Sequence, residues 1–266
     1  MDIPTNIENA LKKFNGLRDD EKTKVITNTF NKLSNEKSLK NIIERHLKNS
    51  INIDVGVKEI IGENGKRANA KADVIDDKKV IFIDTEKVLS FYSALLKINK
   101  RDDLNEDEIL TISYYIHEYI HHLQKGLWKI DTMDYDGQVA YVILETLTEI
   151  LSRRLTIDFL SDIYKNKELF YFKEILNRSG AYNKTTSCFN KFFQELGKVN
   201  IFDKIVDMLK NIDDPNKNPK KIIKSLLVII NDGTERRKEL KRKDIINILL
   251  GKKTLGDIWG NKTKES

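Results

Sequence analysis

A short histidine-rich stretch constrains this chain more than any other part of its sequence. Residues 117–122 read His-Glu-Tyr-Ile-His-His, which contains an H-E-x-x-H pattern. The flanking residues predict one helix over Asp102–Lys125, capped by Asp102 or Asn105, with an apolar stripe along one side. Side chains four residues apart lie on the same face of a helix, so His117 and His121 can direct two imidazole nitrogens at one point. Both histidines are expected at the edge of the stripe, half-facing the interior.

This pair of histidines suits a zinc ion. Zinc is bound tetrahedrally, and a catalytic zinc usually has three protein ligands and a water. Glu118 lies beside the pair, where it could take a proton from a metal-bound water. His122 points away from the pair by helix geometry and is predicted to have a structural role, while His46 is expected to be an ordinary solvated histidine. The sequence therefore predicts one Zn²⁺ per chain.

A third metal ligand has to come from another element. No histidine follows His122, so a downstream histidine is excluded. The next predicted helix, residues 138–164, carries Glu145 and Glu149 four residues apart on one face. They lie next to an apolar stripe, where an unpaired carboxylate would be costly and a metal charge would offset that cost. On spacing alone, either glutamate is a candidate.

The motif and the acid pair together resemble a known family. H-E-x-x-H followed by a helical return and E-x-x-x-[D/E] is the pattern of the gluzincins, the thermolysin-like zinc metallopeptidases. The sequence HEYIHHLQ is also similar to the active-site helix of clostridial collagenase peptidase domains. The resemblance covers about residues 50–160. It implies that Glu145 is the third ligand and that Glu149 orients His117.

The same resemblance implies an activity and a substrate. It implies a metallopeptidase that hydrolyses peptide bonds with Glu118 as general base. The peptide or protein substrate would bind as an extended strand beside Asn69 and Ala70, in an edge hairpin over residues 68–84. Members of the family stabilise the oxyanion with a downstream histidine or tyrosine. Tyr182 is our prediction for that donor, with Tyr135 and Tyr141 as alternatives.

Hydrophobic periodicity predicts an α+β, mostly helical fold, which the resemblance makes zincin-like. Alternating residues at 51–57, 68–74 and 79–84 predict a small antiparallel sheet with an edge hairpin, and most of the remaining chain has helical spacing. We expect an N-terminal lobe over residues 1–126 that contains the sheet and the H-E-x-x-H helix. A helical C-terminal lobe over residues 127–266 would carry the third ligand.

Composition narrows the possible partners. The formal net charge is +6, but basic residues are interleaved with acidic ones and no recognition-helix pattern accompanies them, which argues against a nucleic-acid partner. Cys188 is the single cysteine, so an intramolecular disulfide and a cysteine-metal cluster are excluded. Neither a secretory leader nor a long apolar run is apparent, so we expect no membrane association and a cytoplasmic location.

Two other functional interpretations remain open from the sequence. The first is a regulatory metallopeptidase of a mobile element, with the same chemistry but one dedicated partner as substrate. The second is a non-enzymatic helical binding protein whose metal site is inert. The positive net charge supports this non-enzymatic interpretation only weakly.

Overall fold

The structure is a computed structural model that describes residues 6–32, 39–47, 51–62, 65–123, 135–178, 183–196, 201–212, 219–232 and 240–259. The chain divides into two compact units. The first consists of Met1–His122 and Ser152–Ser179, and the second of Leu123–Leu151 and Gly180–Ser266.

The first unit contains a small sheet and most of the helices that surround it. Its helices are α1 (Ile7–Asn15), α2 (Asp19–Lys32), α3 (Leu39–Leu47), α4 (Val88–Lys100), α5 (Glu106–His121), the end of α6 (Tyr135–Ser161) and α7 (Asn166–Arg178). Its strands are β1 (Ile53–Lys58), β2 (Ala70–Ile75) and β3 (Lys78–Asp84). Over the described residues the architecture is therefore mostly helical α+β, as predicted.

The sheet is mixed, so the predicted antiparallel sheet is wrong in one of its two pairings. The strand order is β1-β3-β2, with β3 parallel to β1 and antiparallel to β2. The predicted hairpin is present, and its turn residues Asp76 and Asp77 have φ of 48° and 62°, which suits a two-residue hairpin turn. The last strand in the chain, β3, lies between the other two, so β2 forms the far edge. Alternation of apolar residues predicts that strands exist, but not their order.

Different helices lie against the two edge strands of the sheet. At β1, the hydroxyl of Thr27 donates to the carbonyl of Val55 (3.3 Å), and the N–H of Val57 donates to Oγ1 of Thr23 (3.0 Å). Both threonines lie on α2, so this helix covers the β1 edge, which is a common way to protect an edge strand. The β2 edge is approached instead by α5, which packs against β2 and β3.

The N-terminus of α5 is held by a buried carboxylate. Asn105 caps the helix, and Glu108 completes a capping box by accepting the N–H of Asn105 at 2.8 Å. The Glu108 side chain is 3% exposed and also accepts hydrogen bonds from Ser93 Oγ (2.6 Å) and Lys97 Nζ (3.0 Å) on α4. One side chain thus caps α5 and attaches it to α4. Of the two predicted caps, Asn105 is the one observed.

The second unit is helical in its described part. It contains the start of α6, α8 (Asn183–Leu196), α9 (Ile201–Lys210), α10 (Pro219–Asn231), α11 (Arg242–Leu249) and α12 (Leu255–Trp259). The helix α6 begins at Tyr135, three residues before the predicted start at residue 138.

The compact units also divide the chain differently from the predicted lobes. The first boundary falls after His122, whereas the lobes were divided after residue 126, and Ser152–Ser179 returns to the first unit. The reason is that α6 is a single long helix that contributes to both units, and α7 then packs against α5.

Glu108 provides a test of how α5 is anchored. The substitution Glu108→Gln keeps the shape of the side chain but removes its charge from the cap and from Lys97. Because the group is buried and has several partners, we expect the free energy of unfolding to fall by about 2–4 kcal/mol, as measured by denaturant unfolding. Glu106→Gln, in the exposed first turn of the same helix, should change it by no more than about 0.5 kcal/mol. Equal effects of the two substitutions would contradict this anchoring role.

Candidate metal centre

The last turns of α5 bring two histidines and a glutamate together. One potential ligand atom from each of His117, Glu118 and His121 lies within 4.8 Å of the others. The two imidazole rings have centroids 4.8 Å apart and planes inclined at 68°. His121 is buried and the other two side chains are half-buried. Imidazole nitrogens and carboxylate oxygens are both metal-ligand atoms, so the cluster could hold a metal ion.

Glu118 is also bonded to the edge of the sheet. Its Oε2 accepts the backbone N–H of Ala72 at 2.7 Å, and Ala72 lies on β2. The hydrogen bond connects the carboxylate to the strand that forms the outer edge. Sequence reasoning missed Ala72. The available signal was its position two residues after Ala70, since alternate residues of a strand direct their backbone groups to the same side.

The backbone groups of the two predicted substrate-binding residues, Asn69 and Ala70, point in opposite directions. The carbonyl of Asn69 accepts the N–H of Asp84 at 3.0 Å, so it faces β3. Because backbone groups alternate along an antiparallel strand, those of Ala70 point outward, on the same side as the N–H of Ala72. Only the side chain of Asn69 is therefore available for the predicted contact, whereas Ala70 offers its backbone.

His122 has the predicted structural role at the C-terminal end of α5. One ring nitrogen, Nε2, lies 3.0 Å from the carbonyl of Val80 on β3, and the backbone carbonyl of His122 accepts a hydrogen bond from Lys79 Nζ at 2.7 Å. Burial lowers the pKa of His122 to about 4. The ring is therefore neutral near pH 7, and Nε2 donates its proton to Val80. Both contacts fix the end of α5 to the central strand.

The predicted third ligand lies on the part of α6 that belongs to the second unit. Glu145 is buried and Glu149 is half-buried. Their spacing of one helical turn places both carboxylates on one face of α6, and Tyr141 precedes Glu145 by the same spacing. Glu145 as a ligand and Glu149 as the partner of His117 stay predictions.

The other residues singled out in the sequence lie elsewhere. Tyr182 falls outside the described residues, and Tyr135 begins α6, with its side chain outside the described part. Cys188 is a free, half-buried cysteine on α8. His46 lies on α3, and its side chain is also outside the described part.

Comparisons with known proteins give no match. No protein-family model, no curated protein and no solved structure matches the chain. The resemblance to gluzincins therefore rests on the motif residues themselves. In the part of the chain that the structure describes, no helix is both long and apolar enough to span a membrane.

His122 can be distinguished experimentally from the ligand pair. The substitution His122→Leu removes the donor to Val80, so the free energy of unfolding of the metal-free protein should fall by about 1–2 kcal/mol. The zinc content of the folded protein should equal that of the wild type, because the ring is bonded to β3. Denaturant unfolding and elemental analysis measure the two quantities. Loss of zinc from folded His122→Leu would show that His122 also contributes to metal binding.

Proposed function

We propose that this chain is a zinc-dependent metallopeptidase of zincin-like fold with Glu118 as its general base. One observation carries the proposal. The carboxylate of Glu118 lies within 4.8 Å of both histidine ligand atoms and also accepts the backbone N–H of an edge strand. A group that takes a proton during peptide hydrolysis has to lie between the metal ligands and the bound peptide. An edge strand is a common site for binding an extended peptide.

The residues that would hold the metal are His117, His121 and Glu145. Two imidazoles and one carboxylate are a ligand set known for catalytic zinc. When bound, zinc would supply Lewis-acid chemistry, which lowers the pKa of water to around 7 and polarises a carbonyl. Glu149, one turn beyond Glu145, would orient His117. An outer hydrogen-bond partner of this kind fixes the ring that binds the metal.

Glu118 would transfer the protons of the reaction. Because Oε2 accepts the N–H of Ala72, the other carboxylate oxygen would take a proton from the attacking water. The water oxygen would form a bond to the carbonyl carbon, and the carbon–nitrogen bond would break. Glu118 would then return the proton to the departing amine. The hydrogen bond from Ala72 supports this role because it restricts the orientation of the carboxylate before substrate binds.

The proposed substrate is an extended peptide or protein segment that pairs with the outer edge of β2. The outward backbone groups of Ala70 would bind it, and the side chain of Asn69 lies beside them. Tyr182 stays our prediction for the oxyanion donor. Of the two alternatives to Tyr182, Tyr141 is favoured because it lies on the same face of α6 as Glu145.

Metal analysis tests the site directly. Purified protein should contain about one zinc per chain, and His121→Ala should lose it. Glu145→Gln should also lose stoichiometric zinc, because it removes a ligand. Glu149→Gln should weaken zinc affinity by about 10–100-fold, as measured by competition with a chelator.

The matched control for the metal analysis is His46→Ala, which removes the one histidine outside residues 117–122 and should keep the full zinc content. Equal zinc loss in His46→Ala and His121→Ala would reject the site. Full zinc content in Glu145→Gln would reject only the third ligand.

Hydrolysis tests the assigned base. Glu118→Gln should retain zinc but lower the hydrolysis of unfolded casein by about 10²–10⁴-fold, because the amide cannot accept the proton. Glu106→Gln is the control, since it makes the same change at an exposed position of the same helix, and it should hydrolyse casein at the wild-type rate. If zinc-loaded Glu118→Gln hydrolyses casein normally, Glu118 is not the base.

A further inference from the structure

We infer that the substrate carries an acidic side chain next to the bond that is cut, and that Lys71 selects it. This inference rests on the proposed peptidase function and adds a substrate preference to it. It follows from the strand register, from the charges on the sheet face that carries Lys71, and from the exposure of the β2 edge.

The register fixes the direction of each group on β2. Lys71 pairs with Phe82, and Ala72 pairs with Ile81, across the antiparallel ladder with β3. The N–H of Ala72 bonds to Glu118, so Ala72 directs its backbone outward and Lys71 directs its backbone toward β3. Side chains of successive residues point to opposite faces of a sheet. The exposed side chain of Lys71 therefore lies on the face opposite Ala72, immediately beside the point where Glu118 is bonded.

Lys71 is the basic residue of β2, and the charges nearest to it on this sheet face form a pair of their own. Lys58 and Asp73 form an ion pair at 3.3 Å, and the Lys58 ammonium also lies 3.6 Å from the centroid of the Phe82 ring. Those two charges therefore offset each other. Within the described ranges, Lys71 has no acidic partner. The free positive charge on β2 is therefore complementary to an acidic side chain on a neighbouring strand.

The β2 edge has the character of a binding surface. Val74 is 48% exposed and Ile75 is 45% exposed, and among the described residues no strand pairs with the outer side of β2. Exposed β-branched residues on an edge strand favour unwanted pairing, and proteins usually cover or charge such an edge. Here α2 covers the β1 edge with Thr23 and Thr27, whereas α5 reaches the β2 edge through Glu118 at Ala72 and leaves Val74 and Ile75 exposed. This difference favours an edge that is retained for an extended partner.

The geometry of strand addition specifies where the acidic residue lies. In an added antiparallel strand, the outward groups of Ala70 and the outward carbonyl of Ala72 would make the hydrogen bonds, since the N–H of Ala72 is bonded to Glu118. The residue opposite Lys71 then belongs to a non-hydrogen-bonded pair, in which the side chains are close. That residue is the neighbour of the one opposite Ala72, where Glu118 is bonded. An aspartate or glutamate at this position would pair with Lys71 next to the cut bond.

The test compares synthetic, unstructured peptides that differ at one position next to the cleavage site. With zinc-loaded wild type, kcat/KM should be about two- to fivefold higher for aspartate than for asparagine, as expected for an exposed cross-strand ion pair, and lower still for lysine. The preference should decrease in high salt, which screens exposed charges. Lys71→Glu should reverse it, so that the lysine peptide becomes the better substrate.

The control is Lys78→Glu, which makes the same charge change at an exposed residue where β3 begins, and it should keep the acidic preference. Hydrolysis without an acidic preference, or with one that Lys71→Glu leaves unchanged, would overturn this inference and leave the peptidase proposal standing. If zinc-loaded wild type cleaves none of the peptides, the peptidase proposal fails. Fluorescence anisotropy of the same peptides then decides the role of Lys71: tighter binding of the aspartate peptide, lost in Lys71→Glu, supports it, and equal binding overturns it.

Discussion

The helix α5 is fixed by hydrogen bonds at both of its ends. At its start, Glu108 caps the helix and bonds to α4, and at its end His122 and the Lys79 ammonium connect it to β3. Because His117 and His121 share one helix, the helix itself sets their mutual spacing. The contacts of His122, next to them in the chain, fix the end of the helix that carries the pair to β3. The third histidine of the cluster thus supports the pair by positioning it.

The hydrogen bond from Ala72 to Glu118 connects the sheet edge directly to the proposed general base. A carboxylate on a helix surface would otherwise sample several rotamers, each with a different distance to the histidines. Bonding one oxygen to a strand backbone removes most of that freedom without a second charged group. Because the bonded strand is also the proposed peptide-binding edge, the base and the substrate would be positioned by one element. A small displacement of β2 would then move the base and the substrate together.

Several of these features could be predicted from the sequence, and others could not. Helical spacing and the cap at Asn105 are local, so α5 and its histidine pair were predictable from short-range geometry. The hairpin was predictable as well, because its alternation and its Asp76-Asp77 turn lie within a few residues. The parallel pairing joins β1 to β3, which are not consecutive strands in the chain, and no local pattern specifies such a pairing. The contact of Ala72 with Glu118 joins residues far apart in sequence, and alanine gives no chemical signal of its role.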